Sequence, residues 1–439
     1  MPHPETTSHP SAAPGSEPTT APASEPTTAP GGFDLVLLGS GLGVYTLARA
    51  FHEEYGVVAT VLTKVGIEPM RRSVTCDVHE LGGAARDEDL VDAAVELAEE
   101  RGGQRPQLLL ANADSLIQLM SDHRARLAPH YVLPILEADV LEQLSDKAEF
   151  ARLCTEHGVA TPRTEVIDLR APQGLSEEPV RVDLPFPVVM KAARTADMAG
   201  VRFEGKKKVW FLEDPSELED LVRTIERAGY RGRLVVQELI PGDDTAEGSI
   251  TAYTDAAGRV TLLCSARVLL GEHTPDALGR PAAMITTAFD DALEQARGLL
   301  EATGYRGFAN FDVKRDPRDG AWKFFEVNPR IGRNNFYVSS AGANVSRFVV
   351  ADAIEHREIA PITEFDEILY SLVPMPLLQR YLRDPALKRW VRTVARRGVR
   401  NPWTYPADGS WARRYARLVG LNHVRKFLRH YPRPTDSGF

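Results

Sequence analysis

The chain has 439 residues, of which 43% are hydrophobic and 26% are charged. This length exceeds one ordinary core, so we expect a globular protein of two or three domains. The net charge of −9 gives no general support for nucleic-acid binding, and no apolar run approaches the ~20 residues needed to cross a bilayer. The three cysteines form no CxxC pair, which argues against a zinc site or a disulfide framework and favours a cytoplasmic location.

The first 31 residues are rich in Pro, Thr, Ser and Ala, and they repeat SEPTTAP at 16–22 and 24–30. They lack the basic start and apolar core of a secretory signal. Such a segment cannot bury enough apolar surface to offset the entropy lost on ordering. We therefore predict a disordered tail over 1–31.

The next region has the pattern of an open parallel α/β domain, predicted over 32–137. A strand, a glycine turn and a helix (34–56) lead to a second strand (57–64). The later elements are a helix at 87–101, a strand at 107–112 and a short closing strand at 131–136.

The glycine turn of this domain partly matches a dinucleotide fingerprint, with Gly39, Gly41 and Gly43. The third glycine position would fall at Val44, and the second strand ends at Lys64 without the acid that a ribose needs. We therefore expect no NAD site. The glycines are better explained by a tight turn, with the helix N-terminus facing a substrate anion as a further option.

Residues 138–355 form a second predicted unit that mixes strands and helices. Its first helix begins at Ser145 or Asp146 as N-cap and stops at Gly158. The predicted strands are 185–191, 206–212, 233–239, 249–255 and 260–270, and the predicted helices are 215–229 and 289–302. After 356 the chain becomes basic, aromatic and mostly helical.

A hairpin near the end of this unit carries the strongest chemical signal. GFANFDVKRD (307–316) and AWKFFEVNPR (321–330) are two strands joined by a turn at Asp316–Gly320. Because strand side chains alternate, the apolar residues share one face, and Asp312, Glu326, Asn328 and Arg330 share the other. Two carboxylates and an amide oxygen are hard ligands of the kind that Mg²⁺ prefers. The alternative is a surface hairpin whose solvated face carries these residues.

Phosphate-binding candidates precede the hairpin. Lys147 lies at a helix start, and Lys191 ends an apolar strand, where a lone cation is costly without an anionic partner. The loop ARTADMAGVRFEGKKKV (193–209) has the glycines and polar groups of a lid over phosphates, and we assign Lys207 of its lysine run to ATP. An exposed charge cluster is the other explanation of that run.

The strand end LVVQELIPGDDT (234–245) suits an adenine edge and a ribose. Backbone groups around Gln237, Glu238 and Leu239 would meet the adenine, and Asp244 would reach the ribose hydroxyls. An ordinary acidic turn remains open for this segment.

Taken in order, SDK, VVMK, the Gly/Lys loop, QELIPGDD, FDVK and FEVNPR resemble the ATP-grasp carboxylate–amine ligases over roughly 33–355. Within that superfamily, EGKKKV, QELIPGDDT and NPRIGRNNFYV look most like D-aspartate ligases and related amino-acid ligases. The resemblance implies an ATP-grasp fold over 138–355, with two subdomains clamping ATP, behind an α/β domain that binds no NAD. It makes Asp312, Glu326 and Asn328 ligands of Mg²⁺ (two ions, with Mn²⁺ as a substitute), Lys147 and Lys191 phosphate ligands, and Glu238 an adenine contact.

The same resemblance implies a two-step reaction through an acyl phosphate, with Arg330 and Lys191 as catalytic residues. The activated carboxylate would be that of an amino acid similar to D-aspartate, and the acceptor an amine of a peptide or cell-wall precursor. A ligase for a peptide natural product and a non-catalytic ATP-binding regulator are the alternatives.

Substrate contacts are less sharply indicated. Arg267, Arg333 and Asn334 are candidates for a substrate carboxylate, because an arginine offers a two-pronged fork, with Arg194 and Arg202 behind them. The segment 377–433 carries fifteen Lys and Arg against two Asp. It would contact an anionic membrane or a lipid-linked precursor at the inner membrane face, or simply balance the acidic body. The sequence does not indicate the oligomeric state.

Overall fold

The computed structural model describes residues 32–171, 178–194, 196–198, 200–274 and 277–435. The segment 1–31, predicted to be disordered, lies outside the described residues. The three cysteines are free thiols, with Cys154 and Cys264 buried and Cys76 partly buried.

The chain begins with a four-stranded parallel sheet in the order β3-β2-β1-β4, which confirms the predicted open α/β arrangement. β1, β2 and β4 are buried almost throughout, which is why they appear in the sequence as continuous apolar runs. The elements are β1 (Asp34–Leu38), α1 (Leu42–Tyr55), β2 (Ala59–Thr63), α2 (Glu68–Arg72), β3 (Cys76–Glu80), α3 (Asp87–Arg101), β4 (Gln107–Ala111), α4 (Asp114–Asp122) and α5 (Arg124–Leu127).

Two expectations for this region differ from the structure. The strand predicted at 131–136 is wrong, because only Val132 makes a bridge, to Leu108, and Pro134 cannot donate to a ladder. The edge strand β3 was not predicted, since its sequence CDVHE is too polar and too exposed to form an apolar run.

A four-stranded antiparallel sheet follows, in the order β5-β8-β6-β7. Helix α8 covers it with Leu218, Val222 and Ile225, which are spaced to lie on one helix face. β7 is shorter than the predicted strand 206–212, because Lys206 bends into the preceding loop and donates to the carbonyls of Met198 and Val201. The elements are α6 (Ala138–Ser145), α7 (Lys147–Glu156), β5 (Thr164–Asp168), β6 (Val188–Ala192), β7 (Trp210–Leu212), α8 (Pro215–Arg227) and β8 (Arg233–Glu238).

The largest sheet has seven strands in the order β13-β12-β9-β10-β11-β14-β15. The C-terminal region is mainly helical, as predicted, and it also supplies the two short strands at one edge of this sheet. The elements are β9 (Glu247–Thr254), β10 (Val260–Gly271), β11 (Pro281–Thr286), α9 (Asp290–Ala302), β12 (Gly307–Arg315), β13 (Trp322–Asn328), α10 (Phe336–Ser340), α11 (Val345–Ala353), β14 (Leu369–Ser371), α12 (Met375–Tyr381), α13 (Pro385–Ala395), β15 (Val399–Arg400) and α14 (Gly409–His430).

The buried side chains show how the three sheets are joined. Leu109 of the parallel sheet and Phe311 of the large sheet belong to one continuous apolar cluster, and Phe51 and Tyr253 belong to a second. The antiparallel four-stranded sheet instead has a core of its own under α8. The parallel sheet and the large sheet therefore form one platform, against which the small sheet stands as a separate jaw.

Candidate active site

The predicted hairpin is present, with β12 and β13 paired so that Asp312 faces Glu326 and Asn310 faces Asn328. Phe311 and Val327 point into the core, with 0% and 4% exposure, so the polar face is turned away from it. A bulge after Asp312 shifts the register between the two strands, so that the next pairs are Val313 with Phe324 and Lys314 with Lys323.

Hydrogen bonds hold the polar face together. Asn328 Nδ2 donates to Asp312 Oδ2 over 3.1 Å, and Asn310 Nδ2 donates to Asp312 Oδ1 over 3.4 Å. Arg330 Nη2 donates to Asn328 Oδ1 over 3.1 Å. The structure thus brings together the four residues that the sequence predicts on this face, Asp312, Glu326, Asn328 and Arg330.

The pKa values of the two hairpin carboxylates are shifted in opposite directions. Burial, followed by the nearby negative charge of Glu326, raises the pKa of Asp312. The pKa of Glu326 is lowered, chiefly by the positive charge of Lys147 and against the effect of burial. Crowded carboxylates are stabilised by a bound cation, so this arrangement fits a metal ion.

Lys147 is the first residue of α7. Asp146 caps that helix by accepting from the backbone N–H groups of Ala148 and Glu149, which settles the choice between Ser145 and Asp146. The cap directs the neighbouring lysine toward the hairpin, and Lys147 Nζ lies 3.0 Å from Glu326 Oε2. Although burial acts against the charged form, Glu326 raises the pKa of Lys147 above its ordinary value.

Lys191 approaches from the other side, on β6 of the small sheet. Its Nζ lies 5.5 Å from the ring centroid of Phe325, the residue before Glu326. Burial lowers the pKa of Lys191 to about 8, against the opposing attraction of Glu326. Among the described residues no carboxylate lies within ion-pairing distance of this ammonium, so it is a cation in need of an anionic partner.

The lysine run 206–208 is exposed and lies close to the hairpin. The charge of Lys208 is among the causes of the pKa shifts of Lys191, Asp312 and Glu326. The assignment of Lys207 to ATP stays a prediction. Lys206 is held by loop carbonyls. The sequence predicts that at most two of the three lysines point toward one ligand, because strand side chains alternate. Since β7 begins only at Trp210, the preceding loop sets the directions of these lysines.

Two further charged residues near the polar face of the hairpin, the candidate metal face, were not predicted. Lys314 is 4% exposed and pairs in register with Glu247 of β9. Burial, followed by the charge of Asp244, raises the pKa of Glu247 to about 8, and Lys314 opposes that shift. Lys314 could have been found by alternation from Asp312, but Glu247 follows a 3₁₀ turn (Asp244–Ala246) that sequence periodicity does not reveal.

Arg330 links the hairpin to the parallel sheet. Its Nε lies 2.9 Å from Asp114 Oδ1, and Asp114 begins α4 at the end of β4. The ion pair orients the guanidinium beside Asn328, at the edge of the carboxylate face. Asp114 was not predicted, because the partners lie 216 residues apart.

The side chains predicted near the adenine already have hydrogen-bond partners within the protein. Gln237 is buried and its amide donates to Thr164 Oγ1, while the carboxylate of Glu238 accepts from Arg163 N–H and from Arg318. The side chains of Gln237 and Glu238 therefore have partners within the protein, and the purine contact through backbone groups around Glu238 and Leu239 stays a prediction.

Asp244 lies in a polar network of its own. Its Oδ2 accepts from the backbone N–H of Gly271 over 2.7 Å and lies 2.9 Å from His273 Nε2. Both contacts use the same carboxylate oxygen. The ribose contact stays a prediction, and it would use the other oxygen, Oδ1.

The candidate substrate residues lie at the far end of the hairpin and on β10. Arg333 Nη1 contacts Asn334 Oδ1 at 3.4 Å, and that oxygen also accepts from Tyr370 over 3.2 Å. Arg267 Nε donates to the Thr245 carbonyl over 2.6 Å, and burial lowers its pKa. Among the described residues neither arginine forms an ion pair, whereas Arg194 of the loop is paired with Glu142 at 2.8 Å. Arg202 lies in the same loop and is exposed.

The glycine turn before α1 serves the close packing of the platform. A Cβ on Gly43 would lie 1.7 Å from Asn112 Oδ1, and Asn112 Nδ2 donates to the Ile331 carbonyl over 2.7 Å. Asn335 Nδ2 donates to the Gly43 carbonyl over 3.0 Å. Gly43 therefore allows the close contact that holds the loop after the hairpin, which gives this glycine a structural purpose.

The donor set of the hairpin is small for a metal site built from protein side chains alone. No group of three or more His, Cys, Asp or Glu side chains in the described part of the chain has the arrangement of a metal site. The hairpin offers two carboxylates and an amide, so Mg²⁺ would complete its octahedron with phosphate oxygens and water, which is its usual manner of binding with nucleotides.

Comparisons with known proteins agree with this arrangement. Residues 146–343 match the family described as carbamoyl-phosphate synthase L chain, ATP binding domain. The chain is 32% identical over 358 residues to D-aspartate ligase of Enterococcus faecium (strain Aus0004), covering 80% of this chain and 84% of that protein.

Two solved structures share the fold. One is the biotin carboxylase domain of the Hydrogenobacter thermophilus 2-oxoglutarate carboxylase with Mg-ADP, ADP and bicarbonate, with a TM-score of 0.56, 16% identity, and coverage of 76% of this chain and 72% of that one. The other is an L-amino acid ligase from Bacillus licheniformis, with a TM-score of 0.50, 16% identity, and coverage of 73% of each chain.

The predicted ATP-grasp fold is thereby confirmed, and so is the predicted class of enzyme. The chain belongs to the ATP-grasp carboxylate–amine ligases, ATP-dependent enzymes that form carbon–nitrogen bonds and release ADP.

Proposed function

We propose that this ligase activates the carboxylate of an amino acid, D-aspartate or a close analogue, and joins it to an amine of a peptide or cell-wall precursor. The observation that carries the ligase chemistry is the meeting of Lys147 and Lys191, from separate elements, over the carboxylate face of the hairpin. The 32% identity to a D-aspartate ligase, over most of both chains, supports the choice of amino acid.

ATP and Mg²⁺ are the cofactors of this family. In our proposal Asp312, Glu326 and Asn328 would hold two Mg²⁺ ions, for which Mn²⁺ could substitute, and the bound ions would supply charge neutralisation for phosphoryl transfer. Glu326 would then exchange its contact with Lys147 for a metal, which releases that ammonium toward the phosphates.

The proposed reaction has two steps. An oxygen of the amino-acid carboxylate attacks the γ-phosphorus, the bond to the bridging oxygen of ADP breaks, and an acyl phosphate remains. The acceptor amine then attacks the acyl carbon, inorganic phosphate leaves, and the amine gives up a proton, so that an amide forms. Lys147, Lys191 and Arg330 neutralise the charge of the transferring group, while the jaw and the loop 193–209 exclude water that would hydrolyse the acyl phosphate.

The substrate carboxylates would bind at Arg333 and Arg267, with Asn334 beside them. Both guanidinium groups lack an ion-pair partner among the described residues, and an unpaired arginine that is partly buried favours an incoming carboxylate. D-Aspartate carries two carboxylates, one to be activated and one to be recognised, which suits a site with more than one arginine.

Two other functions were considered. A peptide natural-product ligase shares all of this chemistry and differs only in its acceptor. A regulator that binds ATP without turnover is disfavoured, because Asp312, Glu326, Lys147 and Lys191 are all present and converge. We also retain the division into 32–137, 138–355 and 356–439, and a peripheral membrane contact through 377–433, as proposals.

The test is ADP release from Mg-ATP across a matrix of amino acids in both chiralities and amine acceptors, followed by mass spectrometry. We expect ADP release with D-aspartate that rises when a peptide amine is added, together with a new amide mass. Activity with a different amino acid would overturn the substrate assignment alone. Absence of turnover with every pair, despite measurable ATP binding, would favour the regulator.

A further inference from the structure

The last helix, α14, has an outer face that the fold does not use. Leu418 and Leu421 are each 65% exposed and Leu428 is 50% exposed, which places them among the most exposed large apolar side chains of the described residues. In a helix that turns about 100° per residue, the three fall within an arc of about 80°. They form one stripe along the helix.

The opposite face of α14 packs against the rest of the protein. Ala412, Ala416, Gly420, His423 and Phe427 are its buried residues. The exposed leucines are therefore not core residues turned outward, because the helix buries a separate face.

Polar contacts fix both ends of α14. Near its start, Asp408 accepts from the Tyr45 hydroxyl over 2.8 Å and from the Ser73 hydroxyl over 2.9 Å. Near its end, His423 Nε2 lies 2.7 Å from Glu272 Oε1, and Tyr431 stacks on His273 with ring centroids 3.6 Å apart. These contacts hold α14 against the platform with its exposed leucines facing outward.

Basic side chains surround the stripe. α14 contains six Lys or Arg and no Asp or Glu. Arg414, Arg425 and Arg429 are exposed and fall in or next to the arc of the leucines. No carboxylate of the described residues lies within ion-pairing distance of these three arginines. The outer face is thus apolar along its middle and cationic around it.

We propose that the outer face of α14 docks on an anionic lipid surface. Leucines that enter the boundary between headgroups and acyl chains, with arginines beside them at the lipid phosphates, are the two features that hold an amphipathic helix in a membrane interface. No helix among the described residues is long and apolar enough to cross a membrane, so α14 lies on the surface.

Other occupants fit less well. A second copy of the chain meeting this face about a two-fold axis would set arginine against arginine. The segment 1–31 contains a single large apolar residue, Met1, and cannot cover three leucines. Nucleic acid would satisfy the arginines and leave the leucines in water. An anionic bilayer satisfies both groups.

The experiment is co-sedimentation of the full-length protein with vesicles of phosphatidylglycerol and phosphatidylcholine in equal amounts, compared with pure phosphatidylcholine. We expect binding to the anionic vesicles only, weakened by added salt. The triple variant Leu418→Gln, Leu421→Gln, Leu428→Gln should reduce the partition at least about tenfold. Arg414→Gln, Arg425→Gln and Arg429→Gln should each reduce it about fivefold.

Matched controls keep the result specific to this face. Val58→Gln with Leu81→Gln changes exposed apolar residues elsewhere, and Arg105→Gln changes an arginine elsewhere. These variants should bind vesicles as the unchanged protein does, and all variants should keep the thermal midpoint, because the altered side chains are exposed.

Equal binding of the leucine variant and the unchanged protein would overturn the proposal, as would no binding to anionic vesicles. Dimers that dissociate in the leucine variant, without vesicle binding, would replace the lipid with a second copy. ATP turnover is measured separately on lipid-free protein, so a failure of the ligase proposal would not be mistaken for a failure of this one.

Discussion

The jaw and the platform each supply charges to the same site, but they hold them in different ways. Asp312 and Glu326 stand on the large sheet, whose core continues into the parallel sheet. Lys191 stands on a small sheet with a core of its own. The hairpin carboxylates are therefore tied to the core of the whole platform, whereas Lys191 belongs to a separately packed jaw. We expect Lys191 to move with the jaw when the site closes around ATP.

The largest expected effect comes from the platform. Glu326→Gln removes one charge from the metal face and should lower kcat about a thousandfold, since charge neutralisation of the phosphoryl group depends on it. Asp319→Asn is the matched control, because Asp319 lies in the hairpin turn and is 49% exposed. Steady-state ADP release measures both. Comparable rates for the two variants would remove Glu326 from the metal site.

A smaller effect is expected from the jaw. Lys191→Met should lower kcat/KM for ATP about a hundredfold, because a cation facing the phosphates is lost. Since a partly buried ammonium without a partner is costly, the same variant should have an equal or higher thermal midpoint. Activity lost together with a lower midpoint would assign Lys191 a structural role and contradict the comparison.

The jaw also predicts a pH dependence. Burial lowers the pKa of Lys191 to about 8, so its ammonium is charged below that pH and is lost above it. We expect kcat/KM for ATP to fall about tenfold per pH unit above about 8. Lys191→Arg keeps its charge throughout this range and should lose the decline, at a lower overall rate. A decline of the same shape in the arginine variant would point to another group.

The smallest effect is a difference in local opening. Amides of β6 and β8 should exchange with solvent faster than those of β9 and β12, since the small sheet opens without breaking the shared core. Mg-ATP should slow exchange in β6 and β8 most. Equal protection in both sheets, with and without nucleotide, would show that the jaw and platform behave as one body.

The hairpin was predictable because its information is local. Strand alternation is enough to set Asp312, Glu326 and Asn328 on one face with Phe311 and Val327 on the other, and the structure agrees. The helix cap at Asp146 was similarly readable from a short motif.

What escaped prediction depends on distant partners or irregular backbone. The ion pair between Asp114 and Arg330 joins residues 216 apart, and no local pattern announces it. The effect of Lys208 on the pKa of Glu326 was not predicted, because β7 begins only at Trp210 and strand alternation does not govern the lysines before it. The exposure of the α14 leucines could not be predicted from this basic, aromatic segment, because the sequence does not show which face of the helix is buried.

The most direct test of the account follows oxygen from the amino acid into phosphate. D-Aspartate labelled with ¹⁸O in its carboxylates is incubated with Mg-ATP and a peptide amine, and the released phosphate is analysed by mass spectrometry. Activation as an acyl phosphate predicts one ¹⁸O in phosphate for each amide formed. Amide formation with unlabelled phosphate would contradict an acyl phosphate and, with it, the role we give to the site.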